Sequence, residues 1–152
     1  MTPTSASPAP VRFACRTFAE LTVPELYDAL ALRAAVFVVE QDCPYLDPDG
    51  IDRWSWHLLG YQDDRLVACA RWFEEGGHVR LGRMVIAPDQ RGQGLGQRAL
   101  REALQRIGAR TVIAHAQDHL RGFYGAAGFV AEGEVFQEDG IPHVVMRRTP
   151  GR

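Results

Sequence analysis

Residues 90–96 read Gln90-Arg91-Gly92-Gln93-Gly94-Leu95-Gly96, a stretch that joins a predicted strand ending at Ile86 to a predicted helix beginning near Gly94. Glycines let a backbone approach a ligand closely, and the first turn of a helix leaves its amide N–H groups without partners inside the helix. The helix dipole and the guanidinium of Arg91 add attraction for an anion. The stretch therefore predicts a phosphate-binding turn, and the alternative is a tight strand-to-helix turn without a ligand.

The same region also fits the dinucleotide pattern GxGxxG/A over residues 94–99. In dinucleotide-binding proteins that motif follows its strand directly within an N-terminal βαβ unit, whereas here residues 88–91 intervene and only about a third of the chain remains. The position where an acidic residue would be expected holds Ala114-His115 instead. A P-loop is excluded because the chain has no Gly-Lys-Ser/Thr, so the phosphate ligand belongs to another class.

The composition is that of one globular domain. With 152 residues, 46% of them hydrophobic, the chain is long enough for one core and too short for two ordinary domains. A core of this size needs neither metal nor disulfide bonds. The net charge of −2 argues against a general nucleic-acid binder. All 17 basic residues are arginine, which excludes a catalytic lysine, a Schiff base and lysine self-modification.

The cysteines and the N-terminal residues indicate the cellular compartment in which such a protein is expected. Cys15, Cys43 and Cys69 are odd in number and form no CxxC pair, which favours free thiols in a reducing compartment. Residues 1–10 are predicted to be a disordered tail without the features of a signal peptide, and no apolar run approaches the ~18 residues of a membrane span. We expect a cytoplasmic protein with a single domain over residues 11–149 and no nucleic-acid, membrane or metal partner.

Hydrophobic periodicity gives the order of the elements. Period-2 alternation predicts strands, and apolar stripes at helical spacing predict helices, the first of them opened by a capping box at Thr22 and Glu25. The order is β, α, three β, α, β, α, two β. The last five elements are predicted to be a helix that begins near Gly94 and is ended by Gly108, then elements at 111–115, 120–127, 129–136 and 143–147. This order predicts an α/β fold, a mixed sheet with flanking helices.

Two charged features accompany the first helix. Arg33 lies on its apolar stripe, so the side chain either extends from a buried stem to solvent, or enters a buried ion pair or contacts an anionic ligand group. Residues 39–54 then carry five acidic side chains and no basic one before Arg53. We interpret this acidic stretch either as solvated turn chemistry or as an electrostatic funnel for a cationic substrate.

Two motifs resemble those of the GNAT family of N-acetyltransferases. Its motif A, Gln/Arg-x-x-Gly-x-Gly/Ala at the helix that grips the acyl-CoA pyrophosphate, is matched by residues 90–96. Its motif B, Phe-Tyr-x-x-x-Gly-Phe, is matched by residues 123–129. Residues 32–45 and 138–143 are similar to the ElaA-type branch of that family. The resemblance covers residues 13–148 and implies a mixed sheet of six or seven strands that splays near the cofactor.

The resemblance also implies a co-substrate and the residues that hold it. Acetyl-CoA would be bound by backbone groups of the strand at the pantetheine arm and by the glycine-rich turn at the pyrophosphate. Many family members have an asparagine seven residues before the tyrosine, and this chain has Gln117 there. The expected cofactor-binding residues are Met84, Val85, Ile86, Arg91, Gly92, Gln93, Gly94, Leu95, Gly96, Gln117 and Tyr124.

Acyl transfer from a thioester to an amine needs a neutral amine, a polarised carbonyl and a proton for the departing thiolate. Tyr124 matches the family's thiolate acid, and the alternative is a core tyrosine on an apolar stripe. The base stays open among His143, His115, Glu40 and bulk water. A histidine has the right unperturbed pKa, whereas a glutamate would need burial to raise its own.

The partner expected from these features is a small-molecule or peptide amine. It would be cationic if the acidic stretch borders its site, as the corresponding segment does in the family. The edges of such a sheet could also support a homodimer. Two other functions compete with the transferase: a non-catalytic acyl-CoA-binding regulatory module, and a nicotinamide-dependent oxidoreductase, which the motif spacing disfavours.

Overall fold

A computed structural model describes residues 9–151, which form one seven-stranded sheet in the order β1-β2-β3-β4-β5-β7-β6. Neighbouring strands are antiparallel except for β4 and β5, which are parallel. The strands are Val11–Thr17 (β1), Trp56–Gln62 (β2), Arg65–Glu75 (β3), His78–Ile86 (β4), Val112–Gln117 (β5), Val130–Glu138 (β6) and Ile141–Arg148 (β7). The predicted mixed sheet is confirmed, with the last three strands differing from their predicted bounds by one or two residues. Residues 1–8 of the predicted tail lie outside the described residues.

Within residues 9–151, three α-helices flank the sheet: Val23–Arg33 (α1), Leu95–Ile107 (α2) and Arg121–Gly125 (α3). The predicted capping box opens α1, since Glu25 N donates to Thr22 Oγ1 at 3.2 Å and Thr22 N to Glu25 Oε1 at 2.9 Å. The first helix does not end there but widens into a π-helix over Ala34–Glu40, in which Gln41 N reaches back to Val36 O at 3.1 Å. Among residues 9–151 no helix has the length and apolar character needed to cross a membrane.

The core has two parts because helices cover both faces of the sheet. The larger part joins α2 and α3 to one face, and it buries the predicted α2 stripe of Leu100, Ala103, Leu104 and Ile107. The smaller part places Ala29 and Val36 of the first helix against the other face, opposite β2, β3 and the end of β4. The helices thereby fix β4 from both sides, at the place where the sheet opens.

The sheet splays between its two parallel strands. Only three residue pairs join β4 to β5, from Val79–Val112 to Leu81–Ala114, and the strands then diverge. A β-bulge lies just beyond this point, because Cys69 faces Val85 while Arg71 faces Gly82. The far side of the gap is formed by the end of β5 and the start of β7, where Gln117 pairs with His143. A V-shaped opening therefore separates residues 82–86 from residues 115–117.

Candidate active site

The glycine-rich loop, residues 90–96, presents free amides next to this opening. Gly92 and Gly94 both have φ of +79°, a left-handed conformation that side chains disfavour, and a Cβ at either would meet nothing within 4 Å. Within the described part of the chain, no N–H of residues 92–96 donates a hydrogen bond, and Arg98 N makes the first α2 contact, to Gly94 O at 3.1 Å. A run of unpaired amides at a helix start is a site for a phosphate group.

Gly96 shows why the third glycine is needed. A Cβ at this position would lie 3.2 Å from Phe123 Cε2 and 3.7 Å from Ile86 Cγ1. The first turn of α2 therefore packs closely against α3 and the last residue of β4. Gln97 Nε2 adds a hydrogen bond to Phe123 O at 3.4 Å. This close packing places the motif B helix beside the glycine-rich loop.

Tyr124 is a buried, neutral phenol on that helix. Its ring makes edge contacts with Phe123 and Phe129, at centroid distances of 5.1 and 5.4 Å, and the residue is only 6% exposed. Burial raises the pKa of Tyr124 to about 12, so the hydroxyl keeps its proton at every physiological pH. The residue lies in the core, and it also carries a proton that it can donate.

The three β4 residues expected to hold the pantetheine arm lie beyond the parallel pairing. Val85 and Ile86 pair with Cys69 and Ala68 of β3 on one edge, and their other edge faces the opening. The side chain of Val85 packs under α1, while those of Met84 and Ile86 pack toward α2 and α3. Their backbone groups, rather than their side chains, are therefore available to a ligand in the opening.

Glu40 and Arg91 form a bidentate ion pair, with both nitrogen–oxygen distances at 2.7 Å. The hydrogen bonds from Arg91 hold the pKa of Glu40 below its ordinary value. A general base for an amine needs a pKa nearer neutrality, which burial would have to provide, and Glu40 is exposed. The geometry therefore argues against Glu40 as the base. The ion pair instead connects the π-helix to the start of the glycine-rich loop.

The two candidate histidines carry their protons on different ring nitrogens, as assigned from their partners. His115 Nδ1 lies 2.7 Å from Arg80 Nη2, and a guanidinium can only donate, so Nδ1 accepts and the proton is on Nε2. His143 Nδ1 lies 2.7 Å from Ile141 O, and a carbonyl can only accept, so this nitrogen carries the proton. When neutral, His143 therefore has a free lone pair on Nε2, while the lone pair of His115 is occupied.

Glu138 connects the two histidines and was not predicted as a site residue. Its Oε2 lies 3.4 Å from His143 Nε2, and its Oε1 lies 3.8 Å from His115 Nδ1. Burial and the charge of Arg80 lower the pKa of His115, against the opposing effect of Glu138. The sequence signals for Glu138 were its place in the hairpin that carries His143 and the similarity of residues 138–143 to the ElaA-type branch.

The loop over residues 41–54 reaches across to the far side of the opening. Gln117 Nε2 donates to Gln41 Oε1 at 3.2 Å, and Cys43 Sγ donates to Asp139 O at 3.3 Å. Gln117 thus ends β5 with its amide engaged by this loop, and its contact with a cofactor stays a prediction. The start of the 41–54 loop therefore borders the same end of the sheet as His143.

Arg33 is bound in a buried ion-pair cluster. The residue is 2% exposed, and it donates from Nε to Asp47 Oδ2 at 2.7 Å and from Nη1 to Asp52 Oδ1 at 2.8 Å. Arg71 of β3 donates to Asp52 Oδ1 at 3.0 Å and to Asp49 Oδ2 at 2.6 Å. The expectation that Arg33 extends to solvent is wrong, and its alternative of a buried ion pair is confirmed.

Arg83 completes this arginine–aspartate network, which consists of Arg33, Arg71, Arg83, Asp47, Asp49 and Asp52. Its Nε lies 2.8 Å from Asp47 Oδ1, an ion-pair distance with an alignment too poor for a hydrogen bond, while Nη2 donates to Asp49 Oδ2 at 3.3 Å. Its guanidinium also covers the ring of Tyr45, 5.5 Å from the centroid. Neither Arg71 nor Arg83 was predicted, although an arginine inside an apolar strand is itself a signal that a partner is needed.

The network corrects the interpretation of the acidic stretch as solvated. Asp47 and Asp52 are 4% and 6% exposed, and three arginines balance the three aspartates. With Glu40 paired to Arg91, Asp42 alone of the five acids has no ion pair within residues 9–151. These charges therefore serve mainly to fix the loop.

Thiols and possible metal-binding clusters are the remaining reactive groups to consider within the described residues. Cys15, Cys43 and Cys69 are free thiols, as the sequence predicts. No group of three or more histidine, cysteine, aspartate or glutamate side chains within residues 9–151 is arranged to hold a metal ion. The titratable side chains on the β5 and β7 side of the opening are those of His115, His143 and Glu138.

Comparisons with known proteins agree with this geometry. Residues 51–150 match the family model of the acetyltransferase (GNAT) domain. The chain is 41% identical to the protein ElaA of Escherichia coli over 138 residues, covering 85% of this chain and 90% of ElaA. The crystal structure of Escherichia coli ElaA superposes on this chain with a TM-score of 0.86. The crystal structure of an acyl-CoA N-acyltransferase from Pseudomonas aeruginosa, which is 43% identical in sequence, superposes with a TM-score of 0.87. Each superposition covers 91% of this chain and 99% of the other chain. The chain is therefore a member of the GNAT acyltransferase family, with the fold of that family and with ElaA among its relatives.

Proposed function

We propose that this protein transfers an acetyl group from acetyl-CoA to a primary amine by direct attack within a ternary complex. The observation that carries the proposal is the run of unpaired amides over residues 92–96 beside the open edge of β4. Those amides suit a pyrophosphate, and the open β4 edge suits the amide groups of a pantetheine arm. The similarity to an acyl-CoA N-acyltransferase supports the same class of donor.

Tyr124 is proposed as the acid that protonates the departing thiolate. The amine nitrogen forms a bond to the carbonyl carbon, the carbon–sulfur bond breaks, and the phenol proton goes to sulfur. A phenol with a pKa of about 12 is a weak acid toward a thiolate in water. Burial acts on thiols in the same direction, since it raises the pKa of the fully buried Cys69 to about 12. A CoA thiolate that loses its solvent in the complex would be matched in the same way to the desolvated phenol.

His143 is proposed as the base that receives the proton of the attacking amine. The contact with Ile141 O fixes its proton on Nδ1 and leaves the Nε2 lone pair free. Glu138, 3.4 Å from that nitrogen, stabilises the imidazolium that forms. His115 lacks a free lone pair because Arg80 occupies it. After release of the products, solvent exchange returns the proton from His143 to Tyr124.

The acceptor is proposed to be cationic because of three acidic residues, of which only Asp42 belongs to the acidic stretch over residues 39–54. Asp42 and Asp139 are exposed, have no ion pair among residues 9–151, and lie on the two segments that meet at the Cys43–Asp139 contact. Together with Glu138 they give the rim of the opening a negative charge. Such a rim concentrates cations and orients an amine toward the site.

The test combines binding with turnover. Calorimetric titration with acetyl-CoA and with desulfo-CoA measures donor binding, and NAD serves as the control ligand. A thiol-release assay against polyamines, basic peptides, neutral amines and anionic amines measures transfer. Because the chain has no lysine, acetylation of its own side-chain amines adds no background.

Four results would separate the alternatives. CoA binding with thiol release that is fastest for cationic amines supports the full proposal. CoA binding without release from any amine favours a non-catalytic acyl-CoA-binding module. Absence of CoA binding contradicts the assignment of residues 90–96, and a preference for neutral or anionic acceptors contradicts the role of Asp42 and Asp139.

A further inference from the structure

We propose that Arg83 is a positioning residue that fastens the 41–54 loop to the β4 bulge and so sets the acceptor side of the active site. The proposal concerns how the acceptor is placed and rests on the function proposed above. It depends on the backbone of Arg83 and on its side-chain partners.

The backbone of Arg83 is held in a disfavoured conformation. Its φ is +49°, within the left-handed region that non-glycine residues rarely adopt. The residue lies in the bulge, directly before Met84 and Val85, whose backbone edge faces the opening. Strain of this kind persists only when surrounding contacts determine it, and it is concentrated at functional sites.

The side chain of Arg83 supplies those contacts from the loop. Its guanidinium meets the carboxylates of Asp47 and Asp49, donates to Asp47 O at 3.2 Å and lies over the ring of Tyr45. Tyr45 in turn donates to Asp47 Oδ1 at 2.9 Å. One side chain therefore joins the bulge to three residues of the loop.

The loop fixed in this way borders the acceptor side. Its first residues contact Gln117 at the end of β5 and Asp139 in the β6–β7 turn, next to His143. Arg33 and Arg71 hold the same loop from the helix and from β3, and Arg71 lies opposite Gly82 at the edge of the bulge. Arg83 is the network member on β4, the strand proposed to hold the thioester. Its loss therefore separates the loop from β4, while Arg33 and Arg71 still hold the loop.

Two substitutions separate the side-chain clamp from the backbone strain. Arg83→Gly removes the clamp but accepts a positive φ, whereas Arg83→Ala removes the clamp and keeps the strain. Asp63→Gly is the matched control, because Asp63 also has a positive φ, of 52°, in the exposed β2–β3 turn. The measurements are hydrogen exchange of residues 41–54, tryptic cleavage after the exposed Arg53, calorimetric affinity for acetyl-CoA, and steady-state kinetics with the best acceptor amine.

We expect Arg83→Gly to speed exchange and cleavage about tenfold and to raise the acceptor KM about tenfold, with acetyl-CoA affinity within about twofold of the wild type. Arg83→Ala should show the same loop opening and a further loss of kcat. Asp63→Gly should match the wild type in all four measurements. If Arg83→Gly fails to fold, Tyr45→Leu removes the ring under the Arg83 guanidinium without removing an ion pair of Arg33 or Arg71, and it is measured in the same way.

Wild-type exchange and cleavage in Arg83→Gly would overturn the clamp, whatever the kinetics. Equal kcat in the glycine and alanine variants would overturn the role of the strained backbone. If the wild-type protein turns over no amine, the proposed function fails, while the exchange and proteolysis results still decide whether Arg83 holds the loop.

Discussion

Removal of one buried charge, by Asp52→Asn, gives the sharpest stability prediction. Asp52 accepts hydrogen bonds from Arg33 at 2.8 and 3.2 Å and from Arg71 at 3.0 Å, and its backbone carbonyl contacts His57 Nε2 at 2.9 Å. An asparagine keeps the size but removes the negative charge. It also turns an amide donor toward one of two guanidinium groups that can only donate.

The structure sets the size of the effect. The network balances three arginines with three aspartates, so the variant leaves it with one buried positive charge in excess, while Arg33 keeps Asp47 and Arg71 keeps Asp49. Breaking a buried ion pair in this way costs about 3–5 kcal/mol of unfolding free energy. In a domain of about 150 residues, 1 kcal/mol shifts Tm by roughly 2–4 °C, so the expected fall is roughly 6–20 °C.

Thermal and urea unfolding followed by circular dichroism measure this loss. The control is Asp89→Asn, which breaks a bidentate pair of similar geometry, with distances of 2.6 and 2.7 Å to Arg65, in which both side chains are more than half exposed. The control should keep a Tm close to that of the wild type because solvent screens the pair. Equal Tm values for the two variants would refute the argument that burial gives the network its strength.

Further predictions concern the acid limit, catalysis and the glycine-rich loop. Hydrogen bonds from Arg71 hold the pKa of Asp49 at about 2, below the ordinary 3.8. The contribution of the Asp49 carboxylate to the free energy of unfolding is therefore complete above pH 3.8 and is lost as the pH falls toward 2. Equilibrium unfolding measured as a function of pH should show the loss between these two values. Tyr124→Phe should lower kcat about 100-fold with little change in acetyl-CoA affinity, and an unchanged kcat would remove the acid assignment. His143→Gln should lower kcat/KM at neutral pH by at least about tenfold more than His115→Gln, and the reverse order would contradict the tautomer argument. Gly94→Ala should cost about 1–2 kcal/mol of stability and weaken acetyl-CoA binding, measured by calorimetry, whereas wild-type affinity would show that the φ of this residue does not position the amides.

The local features of the fold could be predicted because each depends on neighbours along the chain. The capping box of α1, the α2 stripe and the glycine-rich turn before α2 all follow from periodicity and backbone sterics within a few residues. The π-helix over Ala34–Glu40 could not be predicted, since its apolar stripe is also compatible with an α-helix. The same local reasons predict phosphate binding at residues 90–96, which stays a prediction, and the comparisons support the family to which the motif points.

The sequence by itself determined the fold class, the glycine-rich loop and the set of chemical groups available at the site. Only the tertiary structure distinguished among those groups. The proton positions of His115 and His143 depend on Arg80 of β4 and on the Ile141 carbonyl, which no spacing rule brings to them. Most acidic side chains of residues 39–54 form ion pairs, chiefly with arginines of α1, β3 and β4. Charge and protonation depend on which groups come within a few ångströms, and that is decided by the packing of distant segments.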